Sequence, residues 1–311
     1  MTVVSRPRRP GWFLTAAAVV TALLVSGCGN GSTGTDDTTA ESEVDAASHQ
    51  VTVPISAVQT SVEDHGAEPR QVLTFRASPG TPQSVVLRTE NDVHQQIDGK
   101  ADQDFSTAPL AIPLDATARD GGVDLVLGRI DTPDEELAEE LAPAEGSAVG
   151  LTVAPDGAVT AVQFTPAGDA GDEARSAIEQ AFYQAVYHTV VFPDAEIGVG
   201  AVWTVRQQIT GGVTLDQVTT ATLTALDGNR ATVALDITQT PRANVWNLPD
   251  GAGMLDIDYY VMHGTGTMTL DLELPLPVDG RIETAGEQRY RDPEGKSTLY
   301  QSTSSLVQWG G

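Results

Sequence analysis

Carboxylates are the chemical groups this chain carries in greatest supply, with 43 Asp and Glu against 17 Lys and Arg. Two pairs have a spacing that matters. Asp256 with Asp258, and Asp102 with Asp104, stand two apart, so in a strand each pair faces one side and offers oxygen ligands of the kind a hard cation takes. Two carboxyls at a set separation are also what glycoside hydrolysis requires. Neither pair belongs to a D-x-D-x-D-G loop, and a solvated strand face in an acidic protein accounts for both, so no metal site is assigned. His49, His65, His94, His188 and His263 are scattered, without H-E-x-x-H or another paired spacing. His188 falls one residue off an apolar helical stripe and reads as a boundary histidine. There is no G-x-S-x-G elbow. One cysteine and two lysines, Lys100 and Lys296, remove several covalent mechanisms. The expectation is a protein that is not an enzyme, with no catalytic residue and no cofactor.

Gly29, Gly31 and Gly34 spell G-x-G-x-x-G, which would hold a dinucleotide if a strand led into it and a helix led out. The segment after Gly34 is TDDTTAESEVDAASHQ, acidic and without apolar period. A phosphate would be repelled there. The segment before Gly29 is a different device. Arg6, Arg8 and Arg9 form a basic start, Trp12 to Val25 is apolar and uncharged, and small residues lead to Cys28. This is the layout of a secretory signal peptide, and its apolar run is short for a membrane span of about 20 residues.

Val25-Ser26-Gly27-Cys28 resembles the lipobox of bacterial lipoproteins, a match confined to about the first 30 residues. The resemblance implies cleavage between Gly27 and Cys28 and acylation of Cys28 by at least two chains, the number stable anchoring needs. Cys28 is the only cysteine. Arg8-Arg9 is similar to the start of a twin-arginine signal, but Pro10 and Gly11 depart from it, so the general secretory route is expected.

Charge agrees with such an anchor. Formal net charge is −26, and becomes −29 once the three N-terminal arginines are cleaved away. A chain so acidic does not bind nucleic acid by neutralising phosphate, nor an anionic membrane through its own side chains. With its cysteine acylated it forms no disulfide, so packing alone must hold it.

The elements behind these residues divide the chain. Residues 1–27 read as the signal peptide and 28–50 as the acylated cysteine with a flexible acidic tether. Beyond them come a β-rich N-terminal half over 51–168, a linking helix over 169–193, and a β-rich C-terminal half over 194–311. In 51–168, alternating stretches such as VTVPISAVQTSV and VDLVLGRI read as strands, and TPDEELAEELAP as a short helix capped by Thr132 with Pro133 at its first turn and Glu135 closing a capping box. Asp156-Gly157, Asp227-Gly228 and Asp279-Gly280 read as hairpin turns. The one strong helix spans 172–191, with Ile178, Phe182, Ala185, Val186 and Thr189 at helical spacing. The segment around Asp156-Gly157 can be laid on that around Asp279-Gly280, and Phe75 and Trp203 each sit in a strand-like run. The expected fold is mainly β (α+β): antiparallel curved sheets in two related halves joined by one amphipathic helix.

Phe192-Pro193 with Gly198-Val199-Gly200-Ala201-Val202-Trp203 after it resembles a motif in a family of secreted, β-rich lipoproteins of actinobacterial type, over about residues 70–308. No catalytic or binding residue carries over from it. Trp203, Trp246, Tyr259, Tyr260 and Trp309 hold much of a small aromatic supply in the later half, as core anchors or as walls of an apolar cavity. Ile178, Phe182 and Trp203 are the residues expected to border such a cavity.

The functional expectation is therefore a lipoprotein held on the outer face of the cell membrane through Cys28, whose domain binds an apolar ligand such as a lipid, or an envelope partner. Two alternatives stay open: a structural or assembly protein docking on another envelope protein, and a carboxylate-dependent cell-wall hydrolase.

Overall fold

The structure is a computed structural model that describes residues 43–45, 50–168, 170–248 and 252–310, with side chains from residue 51 onward. The signal peptide, the lipobox with Gly27 and Cys28, and the glycines at 29, 31 and 34 lie outside the described residues.

Strands dominate because apolar residues alternate over long stretches. In order they are β1 (Glu43–Asp45), β2 (Gln50–Pro54), β3 (Gln59–Asp64), β4 (Pro82–Ile97), β5 (Gln103–Asp104), β6 (Thr107–Arg119), β7 (Gly122–Leu127), β8 (Ala148–Val153) and β9 (Val159–Thr165). After the main helix come β10 (Val202–Ile209), β11 (Leu215–Asp227), β12 (Arg230–Pro241), β13 (Val245–Asn247), β14 (Met254–Asp271), β15 (Asp279–Arg291) and β16 (Thr298–Trp309). The helices are α1 (Glu135–Leu141), continued by a single 3-10 turn at Ala142–Ala144, and α2 (Asp172–Val186).

The protein is mainly β, and its strands form one antiparallel sheet rather than two. The order is β1-β2-β9-β8-β7-β6-β4-β16-β15-β14-β12-β11-β10-β3, with β5 paired to β4 and β13 to β14. The two meanders that flank α2 in sequence meet where β4 pairs β16, from Leu299 opposite Ile97 to Trp309 opposite Leu87. β3 stands in the N-terminal half by sequence yet pairs with β10 at the far edge. β1 and the first residue of β2 fall inside the stretch read as tether.

Alternation decides which face is buried. On β6, Leu110, Ile112, Leu114, Ala116 and Ala118 turn inward, and on β12 so do Ala231, Val233, Leu235 and Ile237. One core joins these faces to α2, whose Ala174, Ile178, Ala181, Phe182, Ala185 and Val186 are buried. Among the described residues, that core runs from Ile55 to Trp309. A single fully buried side chain of this size contributes about 1.5–3 kcal/mol, so a continuous core of this kind needs no disulfide.

Four local expectations change. Helix α1 is capped by Asp134, whose carboxylate accepts from the Glu136 and Leu137 amides, so Thr132 is not the cap and Glu135 is the first helical residue. Helix α2 ends at Val186 and not at 191; Tyr187 is its cap. Asp156-Gly157 and Asp227-Gly228 do turn hairpins, but Asp279-Gly280 begins β15, and the turn lies upstream in Leu272–Val278. A side chain at Gly280 would meet Met268 Sδ and come within 2.8 Å of the Thr267 carbonyl, so this glycine serves a close strand approach. The two D-G segments thus occupy different places, which removes that alignment as support for related halves. Phe75 lies in a connecting segment and not in a strand.

Candidate functional site: an apolar cavity at one end of the sheet

Sheet order forces the segment between β3 and β4 to travel. β3 lies at one edge and β4 at the centre, so residues 65–78 must cross the end of the sheet. The crossing is fixed by backbone bonds: Ala67 N donates to Val199 O at 2.9 Å, Gln71 and Ile197 exchange bonds at 2.9 and 3.0 Å, Phe75 N donates to Pro155 O at 2.8 Å, and Arg76 N to Leu272 O at 2.6 Å. The strap therefore touches, in turn, the entry to β10, the β8–β9 turn and the β14–β15 loop. The glycine motif serves this junction, with Gly198 N donating to His65 O at 2.9 Å.

Beneath the strap, the inner face of α2 and the sheet border a cavity of about 200 Å³ that opens to solvent at its rim. Its walls include Phe75 from the strap, Phe182 and Val186 from α2, Leu270 and Leu276 from the β14–β15 region, and Trp309. Pro155 and Gly121 at its rim are exposed. Its chemistry is narrow. Among the described residues that line it, Arg119 alone is charged, and the Thr189 hydroxyl there donates to the Val186 carbonyl at 3.1 Å. An apolar space of this size suits an apolar ligand, since an apolar hole of about 150 Å³ takes up benzene.

Of the residues expected to border a cavity, Phe182 does so. Ile178 is buried in the core, and Trp203, wholly inaccessible, donates its indole N–H to Val191 O at 2.8 Å; neither lines the space. Trp203 instead extends an aromatic series, with ring centroids 6.0 Å from Phe192, itself 6.0 Å from Phe75. Trp309 lines the cavity, whereas Trp246 packs on Tyr290 at 4.9 Å and Tyr259 is exposed. Burial raises the hydroxyl pKa of Tyr260. Phe75 stood out in the sequence only as a strand residue, and Arg119 and Leu276 not at all, because the three reach the cavity from connections and a strand end far apart in the chain.

The acidic pairs are engaged in other ways. Asp258 accepts from Arg291 Nη2 at 2.9 Å, and this hydrogen bond holds its carboxyl below the usual range. A bulge between Ile257 and Tyr259 interrupts the regular alternation between Asp256 and Asp258. Asp102 pairs with His94 at 3.0 Å, and Asp104 accepts from the Ser106 amide at 2.9 Å. Among the described residues no group of three or more His, Cys, Asp or Glu is placed to hold a metal ion.

His188, at the end of α2, is buried. Its Nδ1 donates to Gln184 O at 2.7 Å, and its Nε2 has no hydrogen-bond partner among the described residues. Burial pushes its pKa down, against the pull of that backbone acceptor. The neighbouring carbonyl of Tyr187 accepts from Gln217 Nε2 at 2.9 Å and Gln207 Nε2 at 3.2 Å, and Gln239 Nε2 donates to Gln217 Oε1 at 2.8 Å. This glutamine relay satisfies a helix-end carbonyl that the helix leaves unpaired.

Among the described residues, no helix is long and apolar enough to cross a membrane. No protein-family model and no curated protein matches the chain. Among solved structures, the chain is matched to the in-vitro folded OmpT, an outer membrane protein of Vibrio cholerae in its trimer form. The match covers 74% of this chain and 100% of that one at 8% identity, with a TM-score of 0.17, and carries neither fold nor function across.

Proposed function

We propose that this chain is an extracytoplasmic lipoprotein, held on the outer face of the cell membrane through acylated Cys28, whose β domain performs no chemistry and binds an apolar ligand such as a lipid chain. The apolar cavity beneath the strap carries the binding half of this reading. Apolar walls with few polar groups are what ligand pockets are generally made of. The anchoring half rests on the lipobox resemblance and on an acidity that leaves the domain no electrostatic hold on an anionic membrane.

Native mass spectrometry of the chain from Gly29, which retains every core residue among those described, tests the binding half. The expected result is added mass that extracts into organic solvent, or that appears when a medium-chain alkyl ligand is supplied. A bare polypeptide that takes up no such ligand would move the weight to a role in docking on another envelope protein.

A further inference from the structure

The cavity's single charge says more about its ligand. The inference rests on the apolar-ligand reading above and narrows it: the geometry points to a single-chain anionic amphiphile, its tail in the cavity and its carboxylate or phosphate head on Arg119.

Arg119 ends β6 and is half-buried at the rim. Its guanidinium is held in place from three sides. Nε donates to Asp124 Oδ1 at 2.9 Å, Nη2 to Leu151 O at 3.1 Å, and Nη1 to Asp120 O at 3.4 Å. Gly122 leaves the room it needs, since a Cβ there would lie 2.8 Å from the guanidinium carbon. A guanidinium has five N–H donors in a planar fork, so one remains on each terminal nitrogen. Two donors on adjacent nitrogens match the two oxygens of a carboxylate or phosphate. Among the described residues no acid lines the cavity, and the acid paired with Arg119 is Asp124, exposed and solvent-screened, which leaves most of the guanidinium's hold available to a ligand.

Size sets the tail. If about 150 Å³ holds the six carbons of benzene, the 200 Å³ here holds roughly eight. That is room for one short chain within the cavity.

The test is calorimetric titration of the chain from Gly29 with octanoate, octyl phosphate, octanol and octylammonium at fixed salt. The expected result is octanoate or octyl phosphate binding at least about tenfold tighter than octanol, as a hydrogen bond to a charged group provides, with octylammonium weakest. The tighter of the two anions identifies the head. Arg119→Gln should bring octanoate and octyl phosphate down to the affinity of octanol for the same variant. Because Arg119→Gln also releases Leu151 O, Asp124→Asn serves as the second variant: it keeps the guanidinium, frees it of its acid, and should tighten anion binding. Equal affinities for octanoate and octanol in all three proteins would overturn the inference and leave the apolar cavity standing. No binding of any of the four would overturn both.

Discussion

The Trp203 indole N–H and the Val191 carbonyl are bonded at 2.8 Å inside the core, with Trp203 wholly inaccessible. This bond ties the first strand of the C-terminal meander to the segment leaving α2. Trp203→Phe removes the donor, strands a buried carbonyl and leaves a void. The expected cost is about 2–4 kcal/mol, from the unmet acceptor and the lost volume together. Urea unfolding gives the number, and a loss within about 0.5 kcal/mol of zero, as for an ordinary surface change, would deny the bond its role.

Ala185 faces the cavity from α2 and is buried. Ala185→Leu puts a larger side chain into that space without disturbing helix propensity. Stability should hold or rise by about 0.5–2 kcal/mol, as cavity filling commonly gives. Uptake of an apolar ligand should be lost. Thermal unfolding with and without ligand reads both, and a variant that still gains stability from ligand would place the binding elsewhere.

How much of this could be read from the chain depends on the range of the interactions. Helix α2 was legible because Ile178, Phe182, Ala185 and Val186 recur at helical spacing and all four are buried. Strand alternation was legible for the same local reason, as on β12. The position of β3 was not, since its partner β10 lies on the other side of α2 and no local pattern encodes that pairing. Asp279-Gly280 misled because a D-G pair states that a glycine is needed, but not whether a turn or a crowding Met268 requires it. The candidate site suffered most. Phe182 stood out on the apolar stripe, whereas Phe75 reaches the cavity by the strap crossing the sheet and Arg119 from the end of β6, which no local spacing reports.

Cys28 is tested apart from the domain. Cys28→Ser should abolish incorporation of labelled palmitate and lose the protein from the membrane fraction, since the acidic domain has no attraction of its own for anionic lipid. A variant that stays membrane-bound and labelled would show that another residue carries the lipid.

The glutamine relay makes a prediction about pairs. Gln217 donates to Tyr187 O and accepts from Gln239, and both glutamines are buried. Gln217→Leu takes the acceptor from Gln239 and one of two side-chain donors from Tyr187 O. A buried amide left without its partner costs about 1–3 kcal/mol. Adding Gln239→Leu removes the stranded amide, so the double variant should be more stable than Gln217→Leu alone. Equal stability of the two would mean that Gln239 finds another acceptor.

His188 gives the domain a pH dependence with a definite sign. Burial lowers its pKa in the folded protein, while in the unfolded chain it titrates near the ordinary value of 6.5. The folded state therefore keeps the ring neutral where the unfolded state already takes a proton. Stability is full above about pH 6.5 and falls as the pH drops toward the lowered folded value, by up to about 1.4 kcal/mol per pH unit. Glu179 works in the opposite sense, because burial raises its carboxyl, outweighing Arg175. That contribution is common to the wild type and to His188→Asn, so it cancels in their difference. The asparagine amide of this variant keeps a donor for the Gln184 carbonyl and cannot titrate. The fall in urea midpoint from pH 7.5 to 5.5 should thus be smaller for His188→Asn than for the wild type, whatever the substitution costs at pH 7.5. Parallel losses would mean that His188 takes up its proton inside the fold, which a ring with Nδ1 bonded to a carbonyl and Nε2 buried can do only if the end of α2 opens.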